Sequence, residues 1–400
     1  MHLKRFTNFT FQMKTEIVFG KGTEAQVGML AKKYGATKVM LVYGGGSIKR
    51  SGLYDRVVEC LSAEGLPFIE LGGVKPNPLR SVAEAGLRRA MAEGVDFLLG
   101  VGGGSAIDTA KAIALGLANG GEYWRFYRGT PAEKMAPVGT INTIAAAGSE
   151  TSGSSVLVDD MESGQKVGFN YPACRPVFAI MNPELTYTLP MYQLGAGIAD
   201  IMAHTVGRYF SRSASALGDA YGEATMRTIA RYGELAVKNP LDYEARAEVM
   251  LAASFSHNDV TGIGRSGPSG GEHALESQLS GYYDTAHGAG LAVVMPVWLE
   301  YVVRHGSPEQ IHKVAQFGVQ VFGVQPDFED PVSTALLGLD HFRRWLKAVG
   351  MPLTLKELGV PGEDLEAVVD RCMARNGGMV RGFMDLDRQA VEEIFASVVE

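Results

Sequence analysis

The sequence predicts an α/β domain built on a mainly parallel sheet, followed by an all-helical domain. Three observations carry that expectation. Short apolar runs alternate with amphipathic stretches through the first half, and glycine clusters close several of those runs. Beyond Pro190 the pattern changes to long helical periodicity with few alternating β-branched runs. The expected domains are residues 1–188 and 189–400, hinged at residues 186–190.

In the first half, residues 38–43 (KVMLVY), 67–71, 96–101 (DFLLGV), 138–141 and 177–181 read as strands, and 81–93 has helical spacing. Parallel sheets of this kind bind ligands beyond the carboxyl ends of their strands, which is where the glycine clusters fall. In the second half, residues 194–210, 216–237, 242–258, 290–304, 308–322 and 331–349 have helical periodicity. A cleft between the halves is the expected substrate site.

Composition bounds the function. Of 400 residues, 46% are hydrophobic and 20% charged, as expected of a packed globule, and the net charge of -7 includes no basic run suited to nucleic acid or a membrane surface. No apolar stretch reaches the roughly 18 residues of a membrane span. Residues 1–11 hold Lys4 and Arg5 but no apolar core of signal-peptide length. Cys60, Cys174 and Cys372 are too few and too widely spaced for a disulfide framework or a thiolate metal site, and they suit a reducing, cytoplasmic location.

Gly102-Gly103-Gly104-Ser105 follows a strand and precedes a helix expected over residues 106–116. Glycines there let backbone N–H groups approach a pyrophosphate, and the helix N-terminus adds positive partial charge. Asp108 and Lys111 fall in the first turns, facing either ligand or solvent. A lone GGGS is equally a tight turn without a ligand. Here, however, Gly44-Gly45-Gly46-Ser47 closes an earlier strand and Ala146-Ala147-Gly148-Ser149-Glu150 follows a later one. Three such loops suit one extended dinucleotide. The pattern is not GxGxxG, so the domain is Rossmann-like by analogy. Lys49 and Arg50 suit a 2′-phosphate, which favours NADP(H) over NAD(H); the alternative is a solvated basic turn.

Asp200 and His204 are four residues apart in a segment, 197–209, that reads as helix, so one face presents both. His273 and His287 are 14 apart, about 21 Å on a straight helix. Gly281 and Gly288 punctuate that segment, and residues 281–284 (GYYD) read as a turn that folds it back. One carboxylate and three imidazoles form a four-ligand set for Fe²⁺ or Zn²⁺. Spacing alone leaves each residue open to an ordinary core or surface role. That role is the reading for His2, His257, His305, His312 and His341, and also for the aromatic residues Trp124, Tyr127, Phe169, Tyr282 and Tyr283, which otherwise could line a site.

The chain resembles the iron-containing (group III) alcohol dehydrogenases, in particular their butanol dehydrogenase and aldehyde reductase branch. The matching stretches are FGKG at 19–22, YGGGSIKRSG at 43–52, KPNP at 75–78, VGGGSAIDTAK at 101–111, AAAGSETS at 145–152, NPELTYTLP at 182–190, GIADIMAH at 197–204 and HALESQLSGYYDTAHGAGLA at 273–292. The resemblance implies a dinucleotide-binding domain, a helical domain, an architecture shared with dehydroquinate synthase, and a homodimer. It implies that Asp200, His204, His273 and His287 hold one cation. It implies that Gly45, Ser47, Gly103, Gly104, Ser105, Thr143 and Lys166 contact the cofactor, with Asn77 near its adenosine, and that Asp108 is an acidic residue near the cofactor, which makes it the catalytic candidate. The implied reaction interconverts primary alcohols and aldehydes by hydride transfer, with the substrate oxygen on the metal.

Three departures stand out. Ser277 occupies the place of a histidine often proposed as a proton relay, residues 182–184 read NPE where DPE is usual, and Ala147 replaces Thr or Gly. Two alternatives remain: a lyase or cyclase like dehydroquinate synthase, for which Arg208 and Arg265 are candidate phosphate ligands, and an inactive nucleotide-binding homologue.

Overall fold

The computed structural model describes residues 4–5, 8–265 and 270–399; His2 lies outside them. The chain divides into two compact units, one of Gln12–Leu189 and the other of Met1–Phe11 with Pro190–Glu400.

The first unit contains β1 (Glu16–Phe19), β2 (Val39–Gly44), β3 (Phe68–Val74), β4 (Phe97–Gly102), β5 (Val138–Asn142), β6 (Ser154–Val158), β7 (Lys166–Asn170) and β8 (Phe178–Met181). Its main helices are α1 (Val27–Lys33), α2 (Leu53–Ala63), α3 (Arg80–Ala92) and α4 (Gly104–Ala118). Six strands form one sheet in the order β1-β8-β5-β4-β2-β3, and every pairing is parallel. Period-two alternation sorts the side chains onto two cores. Met40, Val42, Leu98 and Val138 enter one; Val39, Leu41, Phe97, Leu99 and Ile141 enter the other. Burial on both faces is why β2 and β4 read as unbroken apolar runs.

The strand order reverses beside β2, whose neighbours are β3 and β4. At such a reversal the loops beyond adjacent carboxyl ends diverge and leave room for a ligand. Tyr43 pairs with Val101 and Gly102 with Asn142, so the three glycine-bearing loops follow three adjacent strands, β2, β4 and β5. An antiparallel hairpin, β6–β7, extends the third loop and was not expected. The polar residues around it hide its alternation.

The second unit contains α5 (Met191–Tyr209), α6 (Ala216–Lys238), α7 (Tyr243–His257), α8 (Glu272–Tyr283), α9 (His287–His305), α10 (Pro308–Phe322), α11 (Pro331–Ala348), α12 (Leu365–Arg375) and α13 (Arg388–Ala396). Lys4–Arg5 pairs in parallel with Ser213–Ala214, so the first residues join this unit and not residues 12–189, where the sequence had set them. The turn expected at residues 281–284 is displaced. α8 runs through Gly281 to Tyr283, and the reversal is made by Asp284 (φ 51°), Thr285 and Ala286 before α9 starts at His287. An isolated glycine only costs a helix about 1 kcal/mol, whereas a left-handed residue ends it. Among the described residues, no helix is long and apolar enough to cross a membrane.

Candidate metal centre and cofactor loops

Asp200 and His204 occupy successive turns of one face of α5, and both are buried. His204 Nε2 is 3.4 Å from Asp200 Oδ1. His273 is the second residue of α8 and His287 the first of α9. The reversal between these helices brings the two imidazoles to a centroid separation of 5.5 Å. His273 lies 4.7 Å from His204 by centroids, and His287 Nε2 is 3.9 Å from Asp200 Oδ1. Ligand atoms of Asp200, His204 and His273 all fall within 4.8 Å of one another. The structure therefore gathers all four residues singled out in the sequence.

Backbone packing makes this convergence possible. A Cβ on Gly288 would lie 1.9 Å from the Ala196 carbonyl oxygen, so α9 meets α5 with backbone against backbone one residue after His287. Burial, reinforced by His257, His273, Arg208 and His287, holds the His204 imidazole well below its usual pKa and hence neutral near pH 7, as a metal ligand must be. His273 Nε2 is buried with no hydrogen-bond partner among the described residues. A buried imidazole nitrogen in that state is costly unless something accepts its lone pair, so the donor set fits a divalent cation.

His257, read from sequence as an ordinary histidine, stacks on His204 at 4.1 Å between centroids. It ends α7, and no spacing relative to the four candidate ligands announces its place beside them. His305 lies outside the group, against Tyr301 and Glu393. His312 and His341 sit on α10 and α11.

In the first unit, Gly45 and Ser47 follow β2, and both are exposed. Gly103 precedes α4 without a side-chain cap, and Gly104 and Ser105 begin the helix, so its first N–H groups are not met by a capping side chain. Thr143 follows β5, and its N–H donates to Gly102 O at 3.0 Å, tying the third loop to the second. Asn77 has φ 54° in the turn before Pro78. Lys166 opens β7 opposite Val158.

Lys49 is not a free cation. Its Nζ is 3.4 Å from Glu70 Oε2 and lies over the rings of Tyr43 and Tyr54. Asp108, a catalytic candidate in the sequence, instead accepts from Ser149 Oγ at 2.6 Å and from the Val156 N–H at 2.9 Å. Both carboxylate oxygens thus hold the third loop against α4. Lys111 is fully buried and donates to Ser149 O and Oγ, Ser152 O and Ser154 O, at 2.6 to 3.0 Å. Burial pulls its pKa down to about 8.

Two family models match the chain: iron-containing alcohol dehydrogenase over residues 14–183, and the C-terminal region of the same family over residues 196–399. The chain belongs to the iron-containing alcohol dehydrogenase family. It is 36% identical over 390 residues to NADH-dependent butanol dehydrogenase A of Clostridium acetobutylicum, covering 97% of this chain and 98% of that one. It is 31% identical over 371 residues to the NADPH-dependent aldehyde reductase YqhD of Escherichia coli, covering 91% and 92%. The crystal structure of NADH-dependent butanol dehydrogenase A from Thermotoga maritima superposes with a TM-score of 0.91 at 37% identity, covering both chains completely. The chain is therefore an oxidoreductase of that family.

As an iron-containing alcohol dehydrogenase it carries its departures in structural roles. Ser277 Oγ donates to the His273 carbonyl at 2.6 Å. Asn182 accepts from the Glu184 N–H at 3.1 Å and donates to Glu24 Oε2 at 3.0 Å, so the amide caps a turn. Arg265 is tied to Asp219 and the Arg208 carbonyl, and Arg208 to the His204 carbonyl and Asp259, which places neither as a dedicated phosphate ligand. Trp124 stacks on Tyr127, which meets Phe169 edge to face, and the three pack in or against one core.

Proposed function

We propose that this chain interconverts primary alcohols and aldehydes, with one divalent cation held by Asp200, His204, His273 and His287 and a nicotinamide dinucleotide held by the loops after β2, β4 and β5. The convergence of one carboxylate and three imidazoles from three helices supports the reading most directly. When bound, the cation supplies Lewis acidity toward the substrate oxygen, and the nicotinamide supplies the two-electron redox chemistry. Fe²⁺ and Zn²⁺ both suit these donors.

The residues bind and orient. Gly45, Ser47, Gly103, Gly104, Ser105, Thr143 and Lys166 are assigned to the cofactor, with Asn77 toward its adenosine. Asp108 and Lys111 hold the third loop in place. Ser277 donates its hydroxyl to the His273 carbonyl, so the relay of a proton to or from the substrate oxygen is not assigned to this side chain.

NADPH is the proposed cofactor, supported by Arg50 and Lys49 after the first glycine cluster. NADH is the second reading, favoured by the Lys49–Glu70 pair, which neutralises one of those cations. A homodimer is proposed from the family, and a cytoplasmic setting from three unpaired thiols.

The test strips the protein of metal, restores Fe²⁺ or Zn²⁺, and follows NADPH and NADH absorbance with short aldehydes. Metal-dependent net consumption is expected, with a lower KM for NADPH. A turnover that regenerates the dinucleotide would favour the cyclase alternative, and no turnover with any aldehyde the inactive one.

A further inference from the structure

α8 carries two acidic residues that have no place in the ligand set. Glu272 and Glu276 are 1% and 0% exposed. They stand four residues apart on one helix, where like charges repel, and burying each carboxylate costs several kcal/mol before compensation. Each meets one of the site's histidines on the far side of its ring. Glu272 Oε1 lies 2.8 Å from His273 Nδ1, while its Oε2 accepts the Gly271 N–H at 2.9 Å. Glu276 Oε2 is in close contact with His287 Nδ1.

The fold makes room for both. A Cβ at Gly207, on the helix that carries Asp200 and His204, would lie 2.5 Å from Glu272 Oε1. A Cβ at Gly290, on the helix that begins with His287, would lie 2.6 Å from Glu276 Oε1. Opposite these contacts, His273 Nε2 is buried without a hydrogen bond among the described residues, and His287 Nε2 faces Asp200.

We propose that Glu272 and Glu276 are positioning residues that lock His273 and His287 in the Nδ1–H form and turn both Nε2 atoms onto the cation. An imidazole whose far N–H is held by a carboxylate is fixed in tautomer and rotation and is a stronger donor. With Asp200, three carboxylates then surround one divalent cation, which offsets the cost of burying them. The inference rests on the proposed metal centre.

The test uses zinc-loaded protein labelled with ¹⁵N-histidine, read by long-range ¹H–¹⁵N spectra, together with chelator competition for metal affinity. Wild type is expected to show His273 and His287 each protonated at Nδ1 and ligated through Nε2. Glu272→Gln should move the His273 signals alone and Glu276→Gln those of His287 alone, each weakening metal binding about 10- to 100-fold. If a variant does not fold, the wild-type tautomers still decide. Ligation through Nδ1 at either histidine, or wild-type affinity in both folded variants, would overturn this inference and leave the metal centre standing. Failure of wild type to retain any metal would overturn both.

Discussion

Gly288 sits against the carbonyl oxygen of Ala196, so close that a methyl group would lie 1.9 Å from that oxygen. This contact fixes where α9 crosses α5 and hence where His287 stands relative to Asp200. Gly288→Ala must push the helices apart. We expect a loss of about 1–3 kcal/mol in stability, measured by urea unfolding, and a larger proportional loss of metal affinity by chelator competition.

Removing a ligand separates the two binding functions. Asp200→Ala and His287→Ala are each expected to lower aldehyde reduction by more than about 10³-fold. Dinucleotide binding, proposed for the loops of residues 12–189, should remain within a few-fold by fluorescence titration. Chelation of wild type should reproduce the loss, and adding back Fe²⁺ or Zn²⁺ should reverse it. A variant that kept full turnover after chelation would contradict the metal's role.

Lys111 joins α4 to Ser149, Ser152 and Ser154 through one buried ammonium. Lys111→Met is expected to leave those carbonyls without their donor, costing about 1–3 kcal/mol, and to raise KM for the dinucleotide more than it lowers kcat. Steady-state kinetics with the cofactor varied checks this. A change in kcat alone would argue for a direct catalytic role.

The Glu70 cluster gives stability a defined dependence on pH. Hydrogen bonds from Tyr43 and Tyr54, with Lys49 nearby, hold the Glu70 carboxyl below its usual value. The Glu70 hydrogen bond, then burial, pushes Tyr54 up to about 12. Glu70 therefore contributes stability above the ordinary carboxylate range that fades as pH falls through its lowered pKa. Tyr54 contributes stability that is complete below about pH 10 and fades toward pH 12. Glu70→Gln should flatten both limbs of a plot of the urea midpoint against pH.

The sheet and most long helices were legible in the sequence for a physical reason. β2 and β4 are buried on both faces, and α10, bounded by Ser307 and Gly323, begins and ends on capping residues. That Asp200 and His204 share one helix face was legible from their i,i+4 spacing, while their role as ligands came from the family resemblance. The meeting of His273 with His287 was expected from a fold-back at residues 281–284, but its place was not legible, because it depends on a left-handed Asp284 and on the contact between Gly288 and Ala196, which are tertiary facts. His257 and the two buried glutamates were missed for the same reason, since their partners lie on other helices or in the same turn with no distinguishing spacing. Lys49 was assigned from its place after a glycine loop and Asp108 from such a place together with the family resemblance; their engagement by Glu70, and by Ser149 and Val156, is tertiary.

One ion held by four side chains is what the proposed chemistry requires. Anomalous diffraction at the iron edge, from crystals grown anaerobically with Fe²⁺, tests this most directly. A single peak about 2.0–2.2 Å from Asp200, His204, His273 and His287 is the expected result. A peak away from these residues, or one that leaves any of the four out of coordination range, would contradict it.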